Sequence, residues 1–183
     1  MNYAAPPSEL IVRRPIREDA AAIAALHIRS WQSAYNGLLS AAYLNALDAT
    51  AGRRVNFLTN AIADGKPSIR VAELKGRLVG WSSFGLSRDD DANAETAELM
   101  AIYLDPQVWN QGIGTALWVD VQNAMRVEGF AHVTAWVLDG NERARRFYLK
   151  QGFTAQAASQ RVVEEDKQAF PLTRYGLTLG DRE

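Results

Sequence analysis

Two glycines separated by one residue, Gly112 and Gly114, stand where an apolar segment gives way to a helical pattern. The apolar segment ends at Asp105-Pro106, and the helical pattern begins directly after the glycines. Glycine lets the backbone approach a ligand closely, and a helix N-terminus presents N–H groups and a positive dipole end to an anion. This order of strand, glycine turn and helix predicts a binding site for a pyrophosphate.

Two common nucleotide-binding motifs do not fit this turn. A Walker P-loop requires Gly-x4-Gly-Lys-Ser/Thr, because the lysine reaches the outer phosphates and the hydroxyl holds magnesium, and no segment of the chain matches it. A dinucleotide-binding fold requires a third glycine, whose position is occupied by Leu117. Asp139 could imitate the ribose-binding acid of that fold, but the repeated strand–helix–strand units are missing.

A second segment, residues 141–153, strengthens the case for a coenzyme. Together, residues 109–114 and 141–153 resemble the two signature segments of the GNAT superfamily of acyl-CoA-dependent N-acyltransferases, Arg/Gln-x-x-Gly-x-Gly/Ala and Asn-x-x-Ala-x-x-Phe-Tyr-x-x-x-Gly-Phe. One position departs from the pattern, since Trp109 stands where Arg or Gln is usual. This departure affects a side-chain contact to phosphate and leaves the backbone cradle unchanged. The likeness covers residues 10–179.

The resemblance implies acetyl-CoA as the co-substrate. Its pyrophosphate is expected on the backbone N–H groups of the glycine turn, and its pantetheine arm on the backbone of the preceding strand, where one N–H group polarises the thioester carbonyl. The expected contacts to the co-substrate are Ile102, Tyr103, Leu104, Gln111, Gly112, Ile113, Gly114, Thr115, Asn141 and Tyr148. Asn141 also suits a helix N-cap, and the two roles are compatible.

The resemblance further assigns the catalytic residues. Tyr148 is the expected general acid for the departing thiolate, although a helix tyrosine packed on the core is the alternative. A base is also needed, because an amine of pKa ~10 is mostly protonated at neutral pH. Glu98, acting through water, is the expected base, with Glu95 and Asp91 as weaker candidates. The chain has no cysteine, which permits direct attack of the amine without a covalent intermediate.

The acceptor is not specified by any motif, and small-molecule amines, peptide N-termini and lysine side chains all stay open. Four aromatic residues could line an acceptor pocket or simply belong to the core: Trp31, Tyr35, Trp81 and Phe84. The acidic segment 87–95 could attract a cationic amine or be a solvated loop. His27 and His132 are interpreted as structural residues.

These residues require an α/β (α+β) domain to position them. We expect a central mixed, mostly antiparallel twisted sheet of about six to seven strands, flanked by about four helices, in keeping with the resemblance. The sheet is expected to splay between the motif strand, about 97–104, and the strand at 132–138, so that the coenzyme can enter between them. We expect one N-acetyltransferase domain with a core at about 10–179 and flexible tails at 1–9 and 180–183.

Composition narrows the function classes. The chain has 183 residues, 48% of them hydrophobic, a net charge of −1 and no cysteine. We therefore expect a cytoplasmic protein with no disulfide, no nucleic-acid partner, no membrane segment and no metal site. The resemblance allows a homodimer. The alternative function is a non-catalytic acyl-CoA-binding or sensing module.

Overall fold

Seven strands form one sheet in the computed structural model, which describes residues 5–165 and 167–180. The spatial order of the strands is β1-β2-β3-β4-β5-β7-β6. Within the described residues the β4–β5 pair is parallel, and the remaining neighbours are antiparallel. The strands are β1 (Leu10–Arg13), β2 (Ser68–Leu74), β3 (Arg77–Leu86), β4 (Thr96–Leu104), β5 (His132–Leu138), β6 (Thr154–Glu165) and β7 (Gln168–Thr178). The predicted mixed, mostly antiparallel sheet is confirmed.

Five α-helices surround this sheet in the described residues. They are α1 (Ala20–Ala34), α2 (Ala41–Ala46), α3 (Ala51–Asp64), α4 (Ile113–Val127) and α5 (Glu142–Lys150). The six-residue α2 was missing from the sequence prediction. It begins where the Ser40 hydroxyl accepts a hydrogen bond from the Tyr43 backbone N–H at 3.2 Å, a typical N-cap.

The helices cover the two faces of the sheet. Helix α4 packs Leu117 and Val121 against one face, while α1 packs Ile23 and Leu26 against the other, together with α3. Ser30 is buried on the same face of α1, and its hydroxyl oxygen lies 2.8 Å from Leu26 O and 2.9 Å from Leu104 O, which satisfies this polar group. The buried faces follow the helical spacing of apolar residues in the sequence.

Strands β4 and β5 separate after a short paired segment. Their register joins Thr96 to His132, Ala97 to Val133 and Glu98 to Thr134, and the pairing stops there. From residue 99 onward, β4 is hydrogen-bonded to β3 but not to β5. The splay expected at the motif strand is present.

The ends of the chain are described only in part. Residues 1–4 and 181–183 of the predicted tails lie outside the described residues, and so does Asp166. The first strand ends at Arg13, because Pro15 follows it and a 3-10 turn at Arg17–Asp19 leads into α1.

Candidate active site

The gap between β4 and β5 opens into a cavity of about 470 Å³. Its walls are the free side of β4, the C-terminal end of β5, the turn before α4, one face of α5 along its whole length, and Tyr35 at the end of α1. Three cationic side chains line it, Arg143, Arg146 and Lys150, and no carboxylate of the described residues does. A cavity with this charge suits a polyanionic ligand.

The turn before α4 is built around left-handed backbone conformations. Asn110 has φ of 63° and Gly112 has φ of 77°. This left-handed conformation is strained for a residue that has a Cβ atom, whereas glycine adopts it without strain. The first helical hydrogen bond runs from Ala116 N to Gly112 O. The N–H groups of residues 113–115 therefore have no acceptor within the described residues, as expected for the first turn of a helix.

Gly114 is required for a different reason. A Cβ atom at this position would lie 3.3 Å from Leu104 Cδ1 and 3.3 Å from Phe147 Cε2. The start of α4 thus packs directly onto β4 and α5, and the free N–H groups face the cavity that these elements enclose. Both glycines of the motif are explained by geometry, Gly112 by its φ angle and Gly114 by close packing.

The ladder between β3 and β4 decides which backbone groups of β4 are free. Asp105 N donates to Val79 O at 2.8 Å, which makes this a hydrogen-bonded pair. In an antiparallel ladder, hydrogen-bonded pairs alternate with pairs that are not hydrogen-bonded. Leu104 lies opposite Gly80 and Ile102 lies opposite Ser82, and both are pairs of the second kind. The backbone N–H and C=O groups of Leu104 and Ile102 therefore point away from β3. Their backbone groups face the gap, whereas those of Tyr103 face β3. The predicted contacts of Ile102 and Leu104 fit this geometry, whereas the backbone of Tyr103 is turned toward β3 although Tyr103 also lines the cavity.

Two predicted residues of α5 lie at the cavity. Asn141 Oδ1 accepts from the Ala144 backbone N–H at 3.1 Å, so Asn141 is the N-cap, and it also lines the cavity. Tyr148 is 8% exposed and lies 5.1 Å from the Phe153 ring, yet its hydroxyl has no hydrogen-bond partner in the described residues. Burial, with a smaller contribution from Tyr103, raises the pKa of Tyr148 well above its ordinary value.

Glu98 lies at the apex of the splay rather than at the cavity wall. It is the last residue of β4 paired with β5, and it is only 4% exposed. Its two carboxylate oxygens accept from Arg88 at 2.9 and 2.7 Å. Glu98 is therefore buried and already paired, and its ion pair with Arg88 competes with the predicted role as a base. The weaker candidates Glu95 and Asp91 are exposed and do not line the cavity.

The aromatic residues predicted for an acceptor pocket separate into two groups. Trp31 contacts Tyr35 edge-on at 4.9 Å between ring centroids, and Trp81 lies 6.2 Å from Tyr103 on the same face of the sheet. The Tyr35 hydroxyl is 3.1 Å from that of Tyr103, and among the four predicted residues Tyr35 lines the cavity. Phe84 is fully buried on the opposite face, against α4, so its assignment to the pocket was wrong.

His27 is part of the same aromatic group and is structural, as predicted. Its ring stacks on Trp31 at 5.1 Å, and its Nε2 atom is 3.0 Å from an Arg54 guanidinium nitrogen. Burial, with a smaller effect of the nearby Arg54 charge, lowers the pKa of His27 to about 3. The ring is therefore neutral and accepts a hydrogen bond from Arg54. His132 is exposed at the start of β5, away from the cavity.

Within the acidic segment, Asp90 and Glu95 are exposed and form no ion pair in the described residues, whereas Asp89 and Asp91 are paired. Asp91 forms a bidentate pair with Arg174 at 2.6 Å, which lowers the pKa of Asp91. Asp89 accepts from Trp136 Nε1 at 2.9 Å and lies 3.4 Å from Arg174. The segment is held against β5 and β7 by these contacts, so both of our interpretations, an attractor for cations and a solvated loop, were wrong for Asp89.

The cationic wall of the cavity, formed by Arg143, Arg146 and Lys150 of α5, was not predicted from the sequence. The spacing of Arg143, Arg146 and Lys150, three and then four residues apart, places them on one helix face with Phe147, and this periodicity was available in the sequence. Arg145 lies off that face and pairs with Glu142 at 2.8 Å instead.

Two further features of the described residues concern the predictions of no metal site and no membrane segment. The described residues contain no cluster of three or more His, Cys, Asp or Glu side chains suited to a metal ion. Among the helices of the described part of the chain, none is long and apolar enough to span a membrane.

Comparison with known proteins decides the family. Residues 22–153 match the family model described as the acetyltransferase (GNAT) family. The chain belongs to the GNAT acetyltransferases. It is 30% identical over 131 residues to an uncharacterised N-acetyltransferase of Bacillus subtilis, covering 71% of this chain and 72% of that protein. This GNAT protein is accordingly an acyltransferase.

Solved structures share the GNAT fold. The PaiA N-acetyltransferase of Thermoplasma acidophilum, determined in complex with coenzyme A, superposes with a TM-score of 0.71 at 20% identity, covering 90% of this chain and 97% of its own. YncA of Salmonella typhimurium, a putative acetyltransferase determined with acetyl-CoA, gives a TM-score of 0.71 at 22% identity and covers 96% of each chain.

Proposed function

We propose that this GNAT protein transfers the acetyl group of acetyl-CoA to a primary amine by direct attack within a ternary complex. The observation that carries the proposal is the continuous path of free hydrogen-bonding groups along the β4–β5 gap. It begins at the N–H groups of residues 113–115, continues with Ile102 and Leu104, and ends near the unpartnered hydroxyl of Tyr148. Two GNAT-fold structures determined with coenzyme A or acetyl-CoA support the choice of ligand.

The turn and the strand would share the binding of this co-substrate. The N–H groups at the start of α4 suit a pyrophosphate, because they combine unpaired donors with the positive end of the helix dipole. The free edge of β4 suits an amide-containing arm, which would add to the sheet as a short extra strand. Leu104 O already accepts from Ser30 Oγ and Trp109 Nε1. This leaves the N–H groups of Ile102 and Leu104 as candidate donors to the thioester oxygen.

Tyr148 is the proposed proton donor to the leaving thiolate. Its raised pKa keeps the hydroxyl protonated at any pH at which the protein works, but it also makes the phenol a weaker acid than free tyrosine. A hydrogen bond to the sulfur that strengthens as the C–S bond breaks is therefore the expected form of catalysis. Glu98 is the proposed base, receiving the proton of the attacking amine through water at the apex of the splay.

The acceptor class is proposed only as a primary amine, either a small molecule or a peptide N-terminus or lysine. We place the reaction in the cytoplasm on the sequence evidence alone. The common sheet of all seven strands supports a single N-acetyltransferase domain over the core at 10–179.

Thermal unfolding with and without acetyl-CoA tests the proposal, with NADH and ATP as controls. A ligand at 100 times its Kd adds ~2.7 kcal/mol to the free energy of unfolding, which raises Tm by ~5–10 °C for a domain of this size. Amine-dependent release of the coenzyme A thiol then tests catalysis. Selective stabilisation without thiol release across a broad amine panel would favour the non-catalytic module, and no stabilisation by acetyl-CoA would refute the proposal.

A further inference from the structure

Trp109 stands where the GNAT signature has Arg or Gln, and a guanidinium from another element lies against it. The Cζ atom of Arg143, in the first turn of α5, is 3.7 Å from the centroid of the Trp109 ring. The indole itself is held in place, since its Nε1 atom donates to Leu104 O at 3.3 Å. The Arg143 guanidinium therefore places a positive charge beside the turn, where the Trp109 side chain carries none.

The position of Arg143 is not explained by the stability of its helix. A cation in the first turn of a helix opposes the helix dipole, and it gains nothing there from the peptide backbone. Its neighbour Arg145 pairs with Glu142, but in the described part of the chain no carboxylate lies within 4 Å of Arg143. The charge of Arg143 is thus uncompensated and faces the cavity, together with that of Arg146.

The geometry points to a role for this pair in ligand binding, which rests on the proposed function. We propose that Arg143, held on the face of Trp109, contacts the pyrophosphate of acetyl-CoA and replaces the side chain missing from the first position of the signature. Stacking uses the face of a guanidinium and leaves the N–H groups in its plane free to donate to phosphate oxygens. Both signature segments then bind the same ligand group, one through its backbone and the other through a side chain.

The test compares three ligands by calorimetry: coenzyme A, dephospho-coenzyme A, which keeps the pyrophosphate but lacks the 3′-phosphate, and pantetheine, which has no pyrophosphate. Arg143→Gln is expected to weaken the first two by about 10-fold each and to leave pantetheine unchanged, because one charged hydrogen bond is lost. Trp109→Leu is expected to weaken the same two ligands by about 2–5-fold, the contribution of an exposed cation–π contact. It should add no further loss when combined with Arg143→Gln.

Arg145→Gln is the matched control, since it removes an arginine from the same helix but not from the cavity. Unchanged binding in this variant, with the losses above in Arg143→Gln, supports the proposal. A loss confined to coenzyme A would place Arg143 at the 3′-phosphate and overturn it, as would equal binding of wild type and Arg143→Gln. If wild type binds none of the three ligands, the proposed function itself fails.

Discussion

Tyr148 combines two properties at the level of a single side chain. Its ring belongs to the core, against Phe153 and Tyr175, while its hydroxyl finds no protein partner in the described residues. The hydroxyl oxygen is not among the buried unpartnered polar atoms of the described residues, so it is reached from the cavity and is free to bond to a ligand placed there. Glu98 differs, because Arg88 already satisfies both its oxygens.

We expect Tyr148→Phe to lower kcat by about 100-fold while the Kd for acetyl-CoA changes little, because proton donation contributes about 10²–10⁴-fold to the rate. Unchanged kcat in Tyr148→Phe would remove the proton donor from the mechanism.

Glu98→Gln should also lower kcat, and its pH–rate profile should lose the limb that reports an ionising base. Arg88→Gln is the control, because it breaks the ion pair and keeps the Glu98 carboxylate. If Arg88→Gln and Glu98→Gln lower activity and stability alike, Glu98 is structural rather than a base.

The turn and helix α4 form one element, and in the proposed function its free N–H groups bind the pyrophosphate. Gly112 allows the chain to enter the helix with φ of 77°, and Gly114 allows the helix to approach β4 and α5. The same φ region occurs at Gly129, just beyond the end of α4, where φ is 90° and a Cβ atom would meet nothing within 4 Å. Gly112 and Gly129 therefore both have a left-handed φ angle, but Gly112 lines the cavity and Gly129 does not.

We therefore expect Gly112→Ala and Gly129→Ala to lower the free energy of unfolding similarly, by about 1 kcal/mol, through left-handed strain. Gly112→Ala should in addition weaken acetyl-CoA binding by about 10-fold, because its N–H cradle is distorted. Chemical unfolding and calorimetry measure the two effects separately. Equal acetyl-CoA affinity in both variants would show that the turn does not bind the pyrophosphate.

For the whole molecule, the buried His27 links folding stability to pH. Its neutral ring lies among Trp31, Trp81 and Tyr103 and accepts from the Arg54 guanidinium, so protonation would place a second positive charge beside the first. The pKa of His27 is about 3 in the folded protein, below the ordinary value near 6.5. The unfolded chain binds more protons between these values, and stability is therefore lost as the pH falls through this window.

From this residue alone we expect the free energy of unfolding to fall by about 2 kcal/mol between pH 7 and pH 5. His27→Gln should remove most of this slope, even if its stability at pH 7 is lower. His132→Gln replaces the exposed histidine and should keep the slope. Urea unfolding at the two pH values provides the measurement, and an identical slope in wild type and His27→Gln would contradict the linkage.

The amino-acid sequence alone was enough to predict the glycine turn and the mixed sheet with its flanking helices. Apolar residues recur at helical spacing along α1, α3 and α4, and Lys75-Gly76 forms the turn between β2 and β3. These signals are local along the chain, so they can be recognised without the tertiary structure. The two glycines predicted the turn for the same reason, since their requirement for backbone freedom and close packing does not depend on distant residues. The short α2 was missed, because its six residues carry little periodicity.

The pairing of distant side chains depended on the assembled fold. Alternation along β3 places Trp81 and Phe84 on opposite faces, but which face α1 covers and which α4 covers was decided only by the assembled fold. The neutralisation of Asp89 and Asp91 required Arg174 from β7, more than 80 residues away, and the Arg143–Trp109 contact joined two separate motifs. Such pairs arise when the sheet and its helices are assembled, and no pattern within one segment encodes them.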